Sequence, residues 1–164
     1  MASSAATVAT AEGNRIRRAG ASDAGDVARL LNDFNTEYDE PTPGVAALAE
    51  RVAELLAGDQ IVVLLAGEPP LGLALLRIRP SLWSTAADAY LEELYVAPAH
   101  RGHGHGRALL EAAIETAREA GADHFELTTG ETDTAARALY ESFNLTNREG
   151  APDGPRMLYY ELDL

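Results

Sequence analysis

Leu94-Tyr95-Val96-Ala97-Pro98-Ala99-His100-Arg101-Gly102-His103-Gly104-His105-Gly106-Arg107 joins the end of a strand to the start of a helix. Leu94–Val96 closes the strand-like run Ala89–Val96, and an amphipathic helical run begins near Gly106. Glycines at 102, 104 and 106 let the backbone approach a ligand closely and adopt φ values denied to other residues. Successive main-chain N–H groups there, at the positive end of a helix, make a seat for a phosphate or pyrophosphate. Arg101 adds a full positive charge at the edge of that seat. His100, His103 and His105 superficially suggest a metal. A loop this rich in glycine, with no carboxylate at regular spacing, reads instead as a phosphate seat, with His103 and His105 beside the phosphates.

Outward from this stretch, helical and strand periodicities alternate. Asn14–Arg18 reads as a short first strand. Ser22 is placed to cap a helix whose apolar positions Val27, Leu30, Leu31 and Phe34 follow an i, i+3, i+4, i+7 pattern. The acidic segment Asn35–Pro43 breaks it. Thr42 and Pro43 supply a cap and first turn for a second helix, buried through Leu48, Val52, Leu55 and Leu56 and ended at Gly58. Ile61–Ala66 is a continuous apolar strand, Gly67–Pro70 a turn and Leu71–Arg79 its hairpin partner. Ser81–Asp88 is a loop before the Ala89–Val96 strand. Past the glycines, Leu109, Leu110, Ala113, Ile114 and Ala117 form one helical stripe that stops at Gly121. His124–Thr128 reads as a strand, Asp133–Phe143 as a helix with Ala136, Leu139, Tyr140 and Phe143 on one side, and Met157–Leu162 as a final strand. The order β-α-α-β-β-β-α-β-α-β-β predicts a single α/β domain, a mixed and mostly antiparallel sheet flanked by helices.

Composition narrows the function classes. At 164 residues the chain suits one core. We assign residues 14–164 to that domain and read Met1–Gly13, small and polar without a basic n-region, as a disordered tail. The formal net charge of −13 argues against general nucleic-acid binding and favours cationic small molecules or basic peptides. No apolar run reaches the ~20 residues of a membrane span. Cysteine is absent, which removes thiol nucleophiles and disulfides and fits a cytoplasmic protein.

The glycine spacing does not match the dinucleotide fingerprint, and without lysine the chain has no P-loop. What Arg101-x-x-Gly104-x-Gly106 does match, preceded by Leu94-Tyr95-Val96-Ala97-Pro98, resembles the acetyl-CoA-binding motif of the GCN5-related N-acetyltransferase (GNAT) superfamily. The resemblance continues at Asp133-Thr-Ala-Ala-Arg-Ala-Leu-Tyr140-Glu-Ser-Phe-Asn144-Leu145, where the family has Asn-x-x-Ala-x-x-Leu-Tyr-x-x-x-Gly-Phe. Ala136, Leu139 and Tyr140 match. Asp133 stands for Asn, Asn144 for Gly and Leu145 for Phe. Asn144 is a mild change, because asparagine tolerates the left-handed conformation. Asp133 brings a carboxyl where the family offers an amide, near the cofactor arm.

The resemblance implies an acetyl-CoA-dependent N-acetyltransferase in which an amine attacks the thioester directly. It places the pyrophosphate on the amides of Gly102–Arg107 and the pantetheine arm beside Leu94, Tyr95 and Val96, as an added strand. It puts Tyr140 at the general-acid position. For the base, Glu93 is the first choice and Glu92 the second; as strand neighbours they face opposite ways. The matching position on the next strand is Thr128, so a base there is missing. Glu37, Tyr38 and Asp39, with Trp83, are candidates for the acceptor pocket. The acidic segment favours a small cationic amine as acceptor. A protein N-terminus or lysine, or a non-catalytic acyl-CoA sensor, are the alternatives. Proteins resembling this one are often homodimers, and no feature of the sequence decides for or against that.

Overall fold

The computed structural model describes residues 15–164; the predicted tail and Asn14 lie outside the described residues. Two compact units are formed, the first ending at Leu127 and the second Thr128–Leu164.

The first unit holds a five-stranded sheet in the order β1-β2-β3-β4-β5. Its strands are β1 (Ile16–Arg18), β2 (Val62–Ala66), β3 (Gly72–Pro80), β4 (Ala87–Val96) and β5 (Ala122–Leu127). β1 to β4 pair antiparallel in sequence order, as short hairpin and helical connections allow. β5 returns parallel to β4 after the crossover helix α3 (His105–Glu119). Every residue of β2 is buried, so its run of apolar residues lacks the alternation of a one-sided strand.

Helices α1 (Ala24–Glu37) and α2 (Val45–Ala57) pack on one face of the sheet. Val27 and Leu30 of α1 and Val52 and Leu55 of α2 bury against Val63, Leu65, Leu73, Leu75 and Tyr95. α3 buries Leu109, Leu110, Ala113 and Ala117, as its periodicity predicts. Leu109 lies against Gly72, whose added Cβ would sit 3.3 Å from its Cδ1.

Local capping differs from expectation at two places. Ser22 does not cap α1. Residues Ala21–Asp23 form a 3-10 turn in which Asp23 accepts from the Gly20 amide at 2.8 Å and from both Arg17 terminal nitrogens. Asp23, its carboxyl held low by Arg17, itself stands at the N-cap position of α1 and makes no side-chain cap bond there. At α2 the N-cap is Gly44, at φ +90°, rather than Thr42; the Thr42 hydroxyl accepts from the Gly44 amide at 3.2 Å.

The second unit contains α4 (Thr134–Ser142). Here the element order agrees with expectation through α4, but Met157–Leu162 is not a strand. Arg148 and Arg156 make a single antiparallel bridge, and Met157 donates to the Asn147 carbonyl at 2.9 Å. The Glu149–Pro155 loop closes on its own main-chain bonds, so pairing stops after this short ladder. Among the described residues nothing pairs with Leu158–Leu162 as a named strand, and alternation alone cannot hold one.

Candidate active site

β4 carries one residue more than the strand it pairs with. Leu75 lies opposite Glu93 and Leu76 opposite Leu91, so Glu92 is the extra residue of a bulge. One inserted residue inverts the alternation of side chains beyond it. Glu93 therefore shares the face of Leu75 and Tyr95, under α1 and α2, while Leu91 falls with Leu76 on the other. A regular strand would have placed Leu91, Glu93 and Tyr95 together.

The two candidate bases have different partners. Glu92, the extra residue of the bulge, is engaged by Arg77, whose Nε donates to its Oε2 at 2.6 Å. Glu93 has a different environment. Burial, with the nearby negative charge of Glu92, pushes its carboxyl up to about 7. A carboxyl that titrates there can take a proton from an amine near neutral pH.

The parallel β4–β5 ladder ends at Leu91 with Leu127. β4 runs on to Val96 against β3, and among the described residues no strand pairs with the opposite edge of Glu93–Val96. Main-chain groups along such an edge can template an added extended segment. Leu94, Tyr95 and Val96 lie on it, in the stretch beside which the family resemblance expects the pantetheine arm.

After the 3-10 turn Pro98–His100 the chain reverses through Gly102 at φ +78° and Gly104 at φ +85°. These left-handed values are strained for any L side chain. Gly104 is the N-cap of α3, and its carbonyl accepts the first helical bond from Ala108 at 3.0 Å. The first-turn amides thus precede the helical ladder and join the positive end of the helix dipole. A Cβ built on Gly102 meets nothing within 4 Å, so this side of the loop is open. Gly102, Gly104 and the α3 start, with His105, Gly106 and Arg107, form a seat whose chemistry suits a pyrophosphate. His103 hydrogen-bonds through its Nδ1 with the His100 carbonyl at 3.3 Å. His105 is lowered by burial and then by His103 and His100, which disfavours the charged form of its ring at the seat. Among the described residues no group of three or more His, Asp or Glu side chains is placed to hold a metal ion.

Arg101 is not an unpaired cation at the rim. Its Nη1 and Nη2 donate to the Glu37 carboxylate at 2.7 and 2.8 Å, and its Nε donates to the Val96 carbonyl at 2.8 Å. The guanidinium lies over the Tyr95 ring, 5.6 Å from its centre. The pair holds Glu37 below the usual carboxylate range and Arg101 above its own. Two residues that the sequence assigned to different substrates are therefore partners of each other.

The profile of the Acetyltransferase (GNAT) family matches residues 26–144. The chain belongs to the acetyltransferase (GNAT) family. It is 28% identical over 157 residues to thialysine N-epsilon-acetyltransferase of Sus scrofa, covering 82% of this chain and 87% of that protein. A shorter match, 39% identical over 69 residues, links it to mycothiol acetyltransferase of Beutenbergia cavernae; it spans 40% of this chain and 23% of that protein. The fold superposes on the crystal structure of a protein of Arthrobacter sp. FB24 described as an acetyltransferase. That comparison has a TM-score of 0.85 and 47% identity, covering 96% of this chain and 100% of the other. The protein is an N-acetyltransferase of the GNAT type.

The downstream GNAT resemblance falls in the second unit. Asp133 is the N-cap of α4 and accepts from the Ala136 amide at 3.0 Å, a structural use of its carboxylate beside the cofactor role expected from sequence. Asn144 adopts φ +63°, and the Leu145 and Asn144 amides bond back to the Tyr140 and Glu141 carbonyls. This is a Schellman end with asparagine in the glycine position, so that departure from the family pattern is conformationally silent. Tyr140 lies half-buried on α4, on the stripe with Ala136, Leu139 and Phe143.

The candidate acceptor residues do not gather at one place. Tyr38 follows α1 directly, half-exposed, with its ring edge against Phe34 at 5.1 Å. Asp39 takes φ +57° in the turn that comes next. Trp83, 91% exposed, lies in the β3–β4 loop. That loop is at the opposite end of β4 from Val96, on the order of 30 Å along a strand of this length. Trp83 and Tyr38 therefore do not share a pocket wall within this unit. Sequence reasoning named Tyr95 for its main chain beside the pantetheine arm, not for its ring, and missed Phe34. The two rings meet at 5.3 Å, with Arg101 over that of Tyr95, and Phe34 reads as an ordinary apolar position of its helix.

Proposed function

We propose that the protein transfers the acetyl group of acetyl-CoA to the primary amine of a small cationic acceptor. The observation that carries this reading is Glu93. The β4 bulge turns it to the face of Tyr95, and burial there raises its carboxyl to about 7, beside the strand edge that β5 leaves unpaired.

Acetyl-CoA, when bound, supplies a thioester carbonyl open to attack by a neutral amine. The amides of Gly102–Arg107 are suited to hold its pyrophosphate and the main chain of Leu94–Val96 to align its pantetheine arm. Glu93 accepts the proton that the acceptor nitrogen gives up on forming the new amide. Tyr140, at the family's general-acid position by resemblance, donates the proton that the departing sulfur takes up as the C–S bond breaks. Asp133 is retained as a neighbour of the cofactor arm on the same resemblance.

The preference for a cationic acceptor rests on the net charge of −13 and on the carboxylates that follow α1. With Glu37 bound to Arg101, Asp39 and Glu40 remain to attract the amine. The name of the porcine relative, whose acceptor is a lysine analogue, agrees with this class. The test is an acceptor screen with acetyl-CoA, read as CoA release and product mass, over polyamines, amino-acid amines, aminoglycosides and basic peptides. Acetylation of a small cationic amine is expected. Turnover only on peptides would replace the acceptor, and no CoA release on any acceptor would refute the activity.

A further inference from the structure

We propose that Glu37 is a positioning residue of the donor site, which ties the end of α1, and the acidic segment after it, to the loop that seats the pyrophosphate. The inference rests on the donor reading above and assigns Glu37 a role other than holding the acceptor.

Glu37 is the last residue of α1 and Arg101 lies between β4 and the glycine seat, 64 positions away. The contact is two-pronged, both carboxylate oxygens meeting both terminal nitrogens, and the third nitrogen is bound to the Val96 carbonyl. A planar guanidinium used in this way has its position and its orientation both fixed. α1 adds two further holds. Phe34 packs on the Tyr95 ring, and Tyr38 packs on Phe34. The phenol of Tyr95 is raised by burial and then by Glu37, which places its hydroxyl against the same carboxylate.

Two consequences follow. The charge of Arg101 is balanced by Glu37, so phosphate is held by amides and the helix dipole, while Arg101 fixes the loop in which those amides sit. The acidic segment is itself anchored to α1, by the Glu40 amide donating to the Asn35 carbonyl at 2.8 Å, the Asn35 side chain to that of Pro41 at 2.8 Å and the Thr42 hydroxyl to Asn32 Oδ1 at 3.0 Å. Where the end of α1 goes, Tyr38–Glu40 goes with it. Ordering the seat around a donor thus orders the segment that awaits the acceptor.

The experiment uses the full chain and three variants, Glu37→Gln, Arg101→Gln and the double. CoA is titrated by calorimetry without acceptor, and amide hydrogen exchange at residues 38–40 is followed with and without CoA. Each single variant is expected to weaken CoA about tenfold, the loss of one charge-assisted pair, and the double no more than the weaker single. Exchange at 38–40 should slow on adding CoA to the wild type and stay fast in Glu37→Gln. Unchanged CoA affinity in Glu37→Gln, or tighter binding because Arg101 is released to a phosphate, would overturn the proposal. So would additive losses in the double variant. Wild-type protein that binds no CoA would instead sink the donor reading. The tie would then still be judged without ligand, by whether exchange at 38–40 is faster in Glu37→Gln than in wild type.

Discussion

Replacing Glu93 by glutamine should slow catalysis and stabilise the protein at the same time. The Glu93 carboxyl is raised from its ordinary 4.5 to about 7 by burial and by Glu92. Between those values the folded state keeps a proton that the unfolded chain has lost, so stability falls as pH rises through that window. Below it Glu93 contributes nothing, and above it the loss is complete. Converted in full, the shift amounts to about 3 kcal/mol, and about 2 kcal/mol once water reaching the partly exposed carboxyl is allowed for. Glutamine carries no charge at any pH. Urea unfolding should therefore find Glu93→Gln more stable than wild type by about 2 kcal/mol at pH 8 and equal to it near pH 4.5. At pH 8 its kcat/KM should be lower by about 100-fold, the lower end of the range for a lost general base. In wild type kcat/KM should rise about tenfold per unit up to pH 7 beyond whatever slope the acceptor amine imposes, and in the variant only the amine slope should remain. Activity within threefold of wild type with an unchanged profile would refute the base assignment. A stability difference equal at both pH values would refute the burial argument.

Three further outcomes follow from single contacts. Tyr140→Phe should lower kcat by about 10- to 100-fold with KM nearly unchanged in steady-state assays, because a thiolate leaves moderately well without an acid. Gly104→Ala forces an L residue to φ +85° at the N-cap of α3. It should cost about 1 kcal/mol in thermal unfolding and weaken CoA in calorimetry by about tenfold as the seat relaxes. Asp133→Ala removes the cap of α4 and should cost about 1 kcal/mol, whereas Asp133→Asn keeps the acceptor oxygen and should cost only a few tenths. If Asp133→Asn also tightens CoA in calorimetry, the carboxylate is felt by the cofactor arm.

The fold was legible because most of its signals are local. The α1 and α3 stripes, the Gly58 stop, the Gly67–Pro70 turn and the Asn144 helix end each depend on a few adjacent residues, and each forms as its pattern predicts. The two cap errors share one cause. Ser22 and Thr42 are good caps in isolation, but Asp23 is fixed by Arg17 on a different element, and Gly44 can take a φ that threonine resists. Met157–Leu162 failed for a related reason. A strand is a property of two segments, and alternation reports only one of them.

The site was legible as a set of residue types and much less so as an arrangement. The glycine seat is local and could be read directly. The different surroundings of Glu92 and Glu93 could not, because they are made by a register shift between Leu75 and Leu76 on the neighbouring strand. Strand alternation expects two adjacent carboxylates to diverge, but the bulge interrupts that alternation at Glu92, whose partner Arg77 lies on the same row of the neighbouring strand as Leu75, opposite Glu93. The same limit hid the partner of Arg101. In sequence it is a cation beside a phosphate loop, and Glu37 an anion in an acidic segment. Each then seems made for a ligand of opposite charge. Folding brings them to 2.7 Å, where each is the other's counter-charge. A bidentate pair half-shielded from water over an aromatic ring is worth more to a loop's geometry than to a ligand's affinity, since neither partner can turn to a ligand without leaving the other partly buried and uncompensated. On the proposed function, attraction of a cationic acceptor would then come from Asp39, Glu40 and the net negative field, and recognition of the donor would fall to main-chain amides.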